Sequence, residues 1–137
     1  MNKSILLKNR PKGKPALSDF EITEIEKPSP KDGEILLKTK YISVDPYLRG
    51  RMRNEESYIP PFELNKPIES MLVAEVIESK NKDFKTGDVV SGMLKWELFQ
   101  THTGENLNKI DTNLAKPSAY LGILGLTGLT AHLALKH

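Results

Sequence analysis

Short apolar runs of strand character, each closed by a turn signal after a few residues, constrain this 137-residue chain more than any other feature. The clearest is Ser70–Ser79, SMLVAEVIES, which sets Leu72, Ala74 and Val76 on one side of an extended chain and Met71, Val73 and Ile77 on the other. KDGEILLKTKYISV offers a turn at Asp32-Gly33 and then a strand placing Ile35, Leu37, Thr39 and Tyr41 on one face. SILLK and FEITEIEKP read as a strand pair at the domain edge, with Phe20, Ile22 and partly Ile25 inward before Pro28 and Pro30 stop the second strand. A turn at Thr86-Gly87 leads into VVSGML, and WELFQTHTGENLNKI reads as two short strands around Gly104. Strands this short, at hairpin spacing, predict a mainly β barrel or sandwich.

Two segments depart from that pattern. EESYIPPFELNKPIE, residues 55–69, carries three prolines and few periodic apolar positions, which predicts an extended loop over the surface. SAYLGILGLTGLTAHLALKH is helical in composition, with Thr127 placed to cap a helix through Leu129, Leu133 and Leu135. Such a helix is apolar on more than one face and little sequence remains to cover it, so the chain reads as the front part of a longer protein.

Composition narrows the function classes. Twenty Lys and Arg against eighteen Asp and Glu leave a formal net charge of only +2, without the basic excess expected of a dedicated nucleic-acid binder. There is no cysteine, which excludes disulfides, thiolate zinc sites and a Cys nucleophile, and the three histidines have no ligand-like spacing, so no metal is expected. The apolar run before Lys8 is too short for a signal peptide, and no span approaches membrane length. The expectation is a soluble, cytoplasmic protein that binds neither nucleic acid nor membrane.

YISVDPYLRGRMR, from Tyr41 to Arg53, is the stretch most suggestive of a site. Asp45 can cap a single helical turn, Pro46 suits its first position and Gly50 can end it. That turn projects Tyr47 beyond the end of a core strand, where a phenol serves as apolar wall and as donor. Arg49, Arg51 and Arg53 could pair with an anion, but a run of alternating charges reads first as a solvated face. Interleaved with Tyr41, Tyr47 and Tyr58, they leave single-stranded nucleic acid as an alternative ligand, against which the near-neutral charge weighs. GILGLTGLT lacks both GxGxxG and the GK[ST] ending of a phosphate loop, and close helix packing explains its glycines equally well.

Taken in order, YISVDPYLRGRM, SYIPPFELNKPI, VVSGMLKW and AYLGILGLTGLTA resemble the zinc-independent medium-chain dehydrogenase/reductase proteins, in the branch of prostaglandin reductase and the NADP-dependent alkenal double-bond reductases. The resemblance spans nearly the whole chain. It implies a GroES-like β-barrel with short helices over residues 1–117 as the catalytic, substrate-binding domain. Residues 118–137 would be a linker and first helix leading into a Rossmann domain that lies beyond this sequence. It also implies an NADP(H)-dependent reduction of the C=C bond of α,β-unsaturated ketones or aldehydes, by an enzyme that is homodimeric when full-length and inactive as this part alone.

By position, the resemblance assigns Tyr47, Met71 and Leu126 to the substrate pocket, and Pro46 and Thr130 to the cofactor side. Zinc-using relatives carry ligands near Ser43-Val44 and Glu69-Ser70, and those ligands are missing here. Relatives usually have glycines in the segment equivalent to IESMLVAEV, where Ser70, Met71 and Leu72 would narrow the space, and His132 stands where an aromatic tyrosine is usual, so the substrate range is expected to differ. The alternative from another class is a non-catalytic GroES-like module that docks a partner through its terminal helix.

Overall fold

A computed structural model describes residues 1–122, 124 and 126–136. Strand β1 (Asn2–Leu7) pairs antiparallel with β2 (Phe20–Ile25) and, on its other side, with the two-residue β4 (Lys66–Pro67). Five further strands make the larger sheet: β3 (Ile35–Ile42), β5 (Glu69–Ser79), β6 (Val89–Lys95), β7 (Phe99–His102) and β8 (Asn108–Lys109). Their spatial order is β7-β3-β5-β6-β8, all antiparallel. Helix α1 (Tyr47–Arg51) follows β3, and α2 (Leu126–Lys136) follows a 3₁₀ turn at Pro117–Leu121.

β5 is the centre of the molecule because its sequence has no polar face to turn outward. Leu72, Val73, Ala74 and Val76 are all fully buried, with β3 on one side and β6 on the other. Together with Ile35, Leu37, Val90 and Leu94 the even-numbered residues form one apolar cluster. Leu7, Leu48, Met52, Phe62 and Ile68 form a second. Trp96 packs against both. Burying each such Leu, Ile or Phe side chain is worth about 1.5–3 kcal/mol before the entropy of ordering it is counted.

The two sheets meet at a corner rather than closing into one continuous ladder. Across it, the Ile5 amide donates to the Trp96 carbonyl (2.9 Å), Trp96 N–H to Ile68 O (2.7 Å) and Ile68 N–H to Ile5 O (3.1 Å). Two side-chain amides fix the crossing chain. Asn2, fully buried, donates to Phe99 O (2.7 Å) and accepts from Phe99 N–H (2.8 Å). Gln100 does the same for both main-chain groups of Lys95, at 2.9 and 3.2 Å.

Several details differ from the sequence reading. Ile22 is 69% exposed, because β2 is a sheet edge whose inward positions are Phe20, as expected, with Thr23 and Ile25, opposite buried Leu7, Ser4 and Asn2. Tyr41 is 45% exposed: the register of β3 against β5 slips between Thr39 and Tyr41, and the irregularity turns Ile42 towards the core instead. The proline-rich segment 55–69 does not stay on the surface, since Phe62 and Ile68 enter the second cluster and Lys66–Pro67 adds to β1. β7 and β8 form as expected, but on opposite edges of the sheet, so Gly104 turns the chain without making a hairpin. α2 starts at Leu126, one residue before Thr127, and leaves Leu129, Leu133 and Leu135 exposed.

Candidate active site

Tyr47 opens α1, and the chain reaches it through a relay of polar groups centred on buried Ser70. Trp96 Nε1–H donates to Ser70 Oγ (2.8 Å), Ser70 Oγ–H to the Ser43 carbonyl (2.8 Å), and Ser43 Oγ–H to the Asp45 carboxylate (2.7 Å). The Ser43 amide is held by Met71 O at 2.9 Å. Ser70 is fully buried, so its hydroxyl both satisfies the indole and anchors the start of the turn. The sequence-level role of Asp45 is corrected here: its carboxylate is occupied by Ser43, and its main-chain carbonyl receives the Leu48 N–H (3.1 Å). Pro46 occupies the cap, and Gly50 lies inside the helix rather than ending it.

Leu48 and Met52 bury one side of α1 in the second cluster, which leaves Tyr47 on the other side, 37% exposed. Its phenol lines a pocket of about 240 Å³ between α1 and the loop after it, with Gly50, Arg51, Arg53, Tyr58 and Ile59. Burial and the nearby Asp45 carboxylate push the phenol up from its ordinary value, while the Arg51 guanidinium draws it down. The group is therefore a protonated hydrogen-bond donor at neutral pH. Tyr58, which sequence reasoning placed only among interleaved aromatics, joins Tyr47 in this pocket. No periodic signal could have paired them, because a loop brings them together.

The arginines are not a uniform solvated face, and their alternation hides separate jobs. Arg49 donates from Nε and Nη2 to Gly13 O (3.1 and 2.7 Å) and from Nη2 to Pro11 O (3.1 Å). Arg51 donates to Pro60 O (3.0 Å) and lies 4.0 Å from the centroid of the Phe62 ring. Arg53 is exposed. Among the other expected site residues, Pro46 is exposed beside Tyr47, and Met71 is half-buried on β5 outside the Tyr47 pocket. The side chains of Leu126 and Thr130 lie outside the described residues.

A profile described as the N-terminal domain of oxidoreductase matches residues 3–110. The chain is 50% identical to YfmJ of Bacillus subtilis, named for an inferred NADP-dependent oxidoreductase activity, over 96% of its own length and 38% of the relative. The chain belongs to the medium-chain dehydrogenase/reductase family. A 2-alkenal reductase (NADP(+)-dependent) of Nicotiana tabacum is 40% identical, matching 96% of this chain and 40% of that protein. The crystal structure of CurA in complex with NADPH from Vibrio vulnificus superimposes with a TM-score of 0.89 at 33% identity, covering 97% of this chain and 40% of that one. The two sheets are thus the family's GroES-like fold. This medium-chain dehydrogenase/reductase domain spans about two fifths of the length of the relatives it matches. Among the described residues no three His, Cys, Asp or Glu side chains are grouped to hold a metal, and no helix is long and apolar enough to cross a membrane.

A larger cavity, of about 390 Å³, opens elsewhere, lined by Asn2, Glu69, Lys95, Glu97, Gln100 and His102 among others. Burial pushes the Glu97 carboxyl up; Lys95 opposes that and Glu69 adds to it. A carboxyl whose folded value is raised binds its proton more tightly in the native state than unfolded, so its contribution to stability falls as pH rises from the ordinary 4.5 towards the raised value. Glu97→Gln is expected to remove this fall. Urea midpoints of the two proteins should diverge in favour of the variant as the pH rises above 4.5; a constant difference would exclude the titration of Glu97 as the cause. His102 in the same wall is structural, accepting the Gly104 N–H on Nδ1 at 2.9 Å.

Proposed function

We propose that this chain is the N-terminal, substrate-binding domain, residues 1–117 with a connecting segment 118–137, of an NADP(H)-dependent reductase acting on the C=C bond of α,β-unsaturated ketones or aldehydes. The supporting observation is Tyr47, a protonated phenol that follows a turn held by part-buried hydrogen bonds and lines the open rim of a pocket. NADPH, when bound, supplies a hydride for the carbon β to the carbonyl. Tyr47 can then donate to the carbonyl oxygen, on which negative charge develops. The exposed Pro46 ring beside it offers an apolar contact for a nicotinamide ring. The relatives support the chemistry, one named for its 2-alkenal substrate and one solved with NADPH bound. Because the chain covers two fifths of those proteins, it is proposed to be inactive alone.

Adding NADPH and a simple enone to the full-length protein should consume the nicotinamide absorbance, and inertness towards a broad panel of enones and enals would sink the reading. Tyr47→Phe in that protein should lower kcat/KM for the enone roughly tenfold, the effect of one lost hydrogen bond to a developing charge, with NADPH affinity unchanged. Unaltered kinetics would remove Tyr47 from the reaction.

A further inference from the structure

The pocket wall opposite Tyr47 is a loop, residues 53–61, with little to hold it in place. Residues 53–58 are all exposed, Tyr58 by 92%. Among the described residues, none of the backbone amides from 54 to 61 donates to another main-chain group. Besides Pro60, whose carbonyl accepts from Arg51 Nε (3.0 Å), what is fixed is the loop's base. There the Phe62 N–H donates to Arg51 O (2.7 Å), and a single guanidinium, that of Arg10, spans the two ends: Nη1 to Met52 O at 3.0 Å and Nη2 to Phe62 O at 2.9 Å. Arg49 reaches back from α1 to the carbonyls of Pro11 and Gly13, so the segment 10–13 and the helix clasp each other through two forks.

Met52 and Phe62 are both anchored in the second cluster by their own side chains. The fold therefore does not need Arg10 to bury them. What Arg10 sets is the distance and angle between the two carbonyls from which the loop springs, because a planar guanidinium fixes both hydrogen bonds in one plane. A few tenths of an ångström at the base become a larger displacement at Tyr58, near the far side of the loop.

We propose that Arg10 is the positioning residue of the Tyr47 pocket, holding the 53–61 loop over it by bridging Met52 and Phe62. Its effect on turnover rests on the reductase function proposed above, whereas its effect on the loop does not.

The test uses the full-length protein carrying Arg10→Met, with Arg10→Lys as a second variant that keeps a cation but cannot span two carbonyls as a planar fork. Trypsin acting on the native protein reads the loop directly through cleavage after exposed Arg53. Cleavage after Lys82, in the turn between β5 and β6, serves as the internal control. Arg10→Met should speed cleavage at Arg53 roughly tenfold while Lys82 is cut as before. With NADPH and 4-phenylbut-3-en-2-one, kcat/KM should fall roughly ten- to hundredfold, as misplacement of a binding wall predicts, with NADPH affinity unchanged. Arg10→Lys should move both readouts the same way by less, and it carries the test if Arg10→Met does not fold. Unchanged cleavage at Arg53 in a folded variant, or an equal rise at Arg53 and Lys82, overturns the assignment. A wild-type protein that reduces no enone, with the selective change at Arg53 still seen in Arg10→Met, would sink the reductase reading and leave Arg10 in its role.

Discussion

Replacing Leu72 by Ala is expected to lower the unfolding free energy by about 3 kcal/mol, within the range of roughly 2–5 kcal/mol for truncating a buried Leu. Leu72 is fully buried near the start of β5, with Ile42 of β3 as its partner on one side and Gly92 of β6 on the other. A glycine neighbour has no side chain to move into the space, and strands hydrogen-bonded on both flanks prevent the backbone from closing it. The cost should thus include most of the cavity term as well as the transfer term. Urea unfolding followed by circular dichroism checks it, with Ile22→Ala on the exposed edge strand as a control that changes stability by less than about 0.5 kcal/mol. A Leu72→Ala loss below about 1 kcal/mol would mean that the sheet relaxes at this site, against the packing described.

Gly104→Val should cost a similar amount for different reasons. Gly104 has φ of +87°, a conformation that disfavours any L side chain and a β-branched one most. A Cβ placed there would overlap the ring of Phe84, which itself packs against the larger core and lies under the Lys109 ammonium at 5.1 Å. Backbone strain of about 1–3 kcal/mol and forced repacking of about 1–3 kcal/mol together predict a loss of about 2–6 kcal/mol. Gly33 separates the two terms. Its φ is +82°, but a Cβ there meets nothing within 4 Å, so Gly33→Ala is expected to show the backbone cost of about 1 kcal/mol alone. Equal losses for Gly33→Ala and Gly104→Val would show that Phe84 yields freely.

The strands that could be read from sequence were those whose burial is set by their own alternation. β5 announces itself, because Leu72, Ala74 and Val76 on one face and Val73 on the other leave no solvent-facing alternative, and all four are buried. Tyr41 could not be placed this way, since a slip of register after Thr39 is a property of the pairing with β5 and leaves no periodic trace. Phe62 and Ile68 were hidden for a related reason: aperiodic segments reach the core one residue at a time. At the site, the turn after Val44 and the outward Tyr47 were legible from local chemistry. The partners that hold the turn, Ser70 and Trp96, lie 23 or more residues away from Tyr47, and the arginines give the same alternation whether they are solvated or bonded to carbonyls. The family resemblance supplied the GroES-like fold and the reductase class, which the residues taken singly did not.

Trp96 touches both apolar clusters and sits where the two sheets hydrogen-bond across their corner, and it is the only tryptophan in the sequence. The molecule thus carries an optical gauge at its seam. The emission of this indole depends on whether its ring is dry and its N–H still engaged with Ser70. If the small sheet could part from the large one, the fluorescence would change while most of the β-sheet circular dichroism remained. Coincident signals would report a domain whose two halves melt as one.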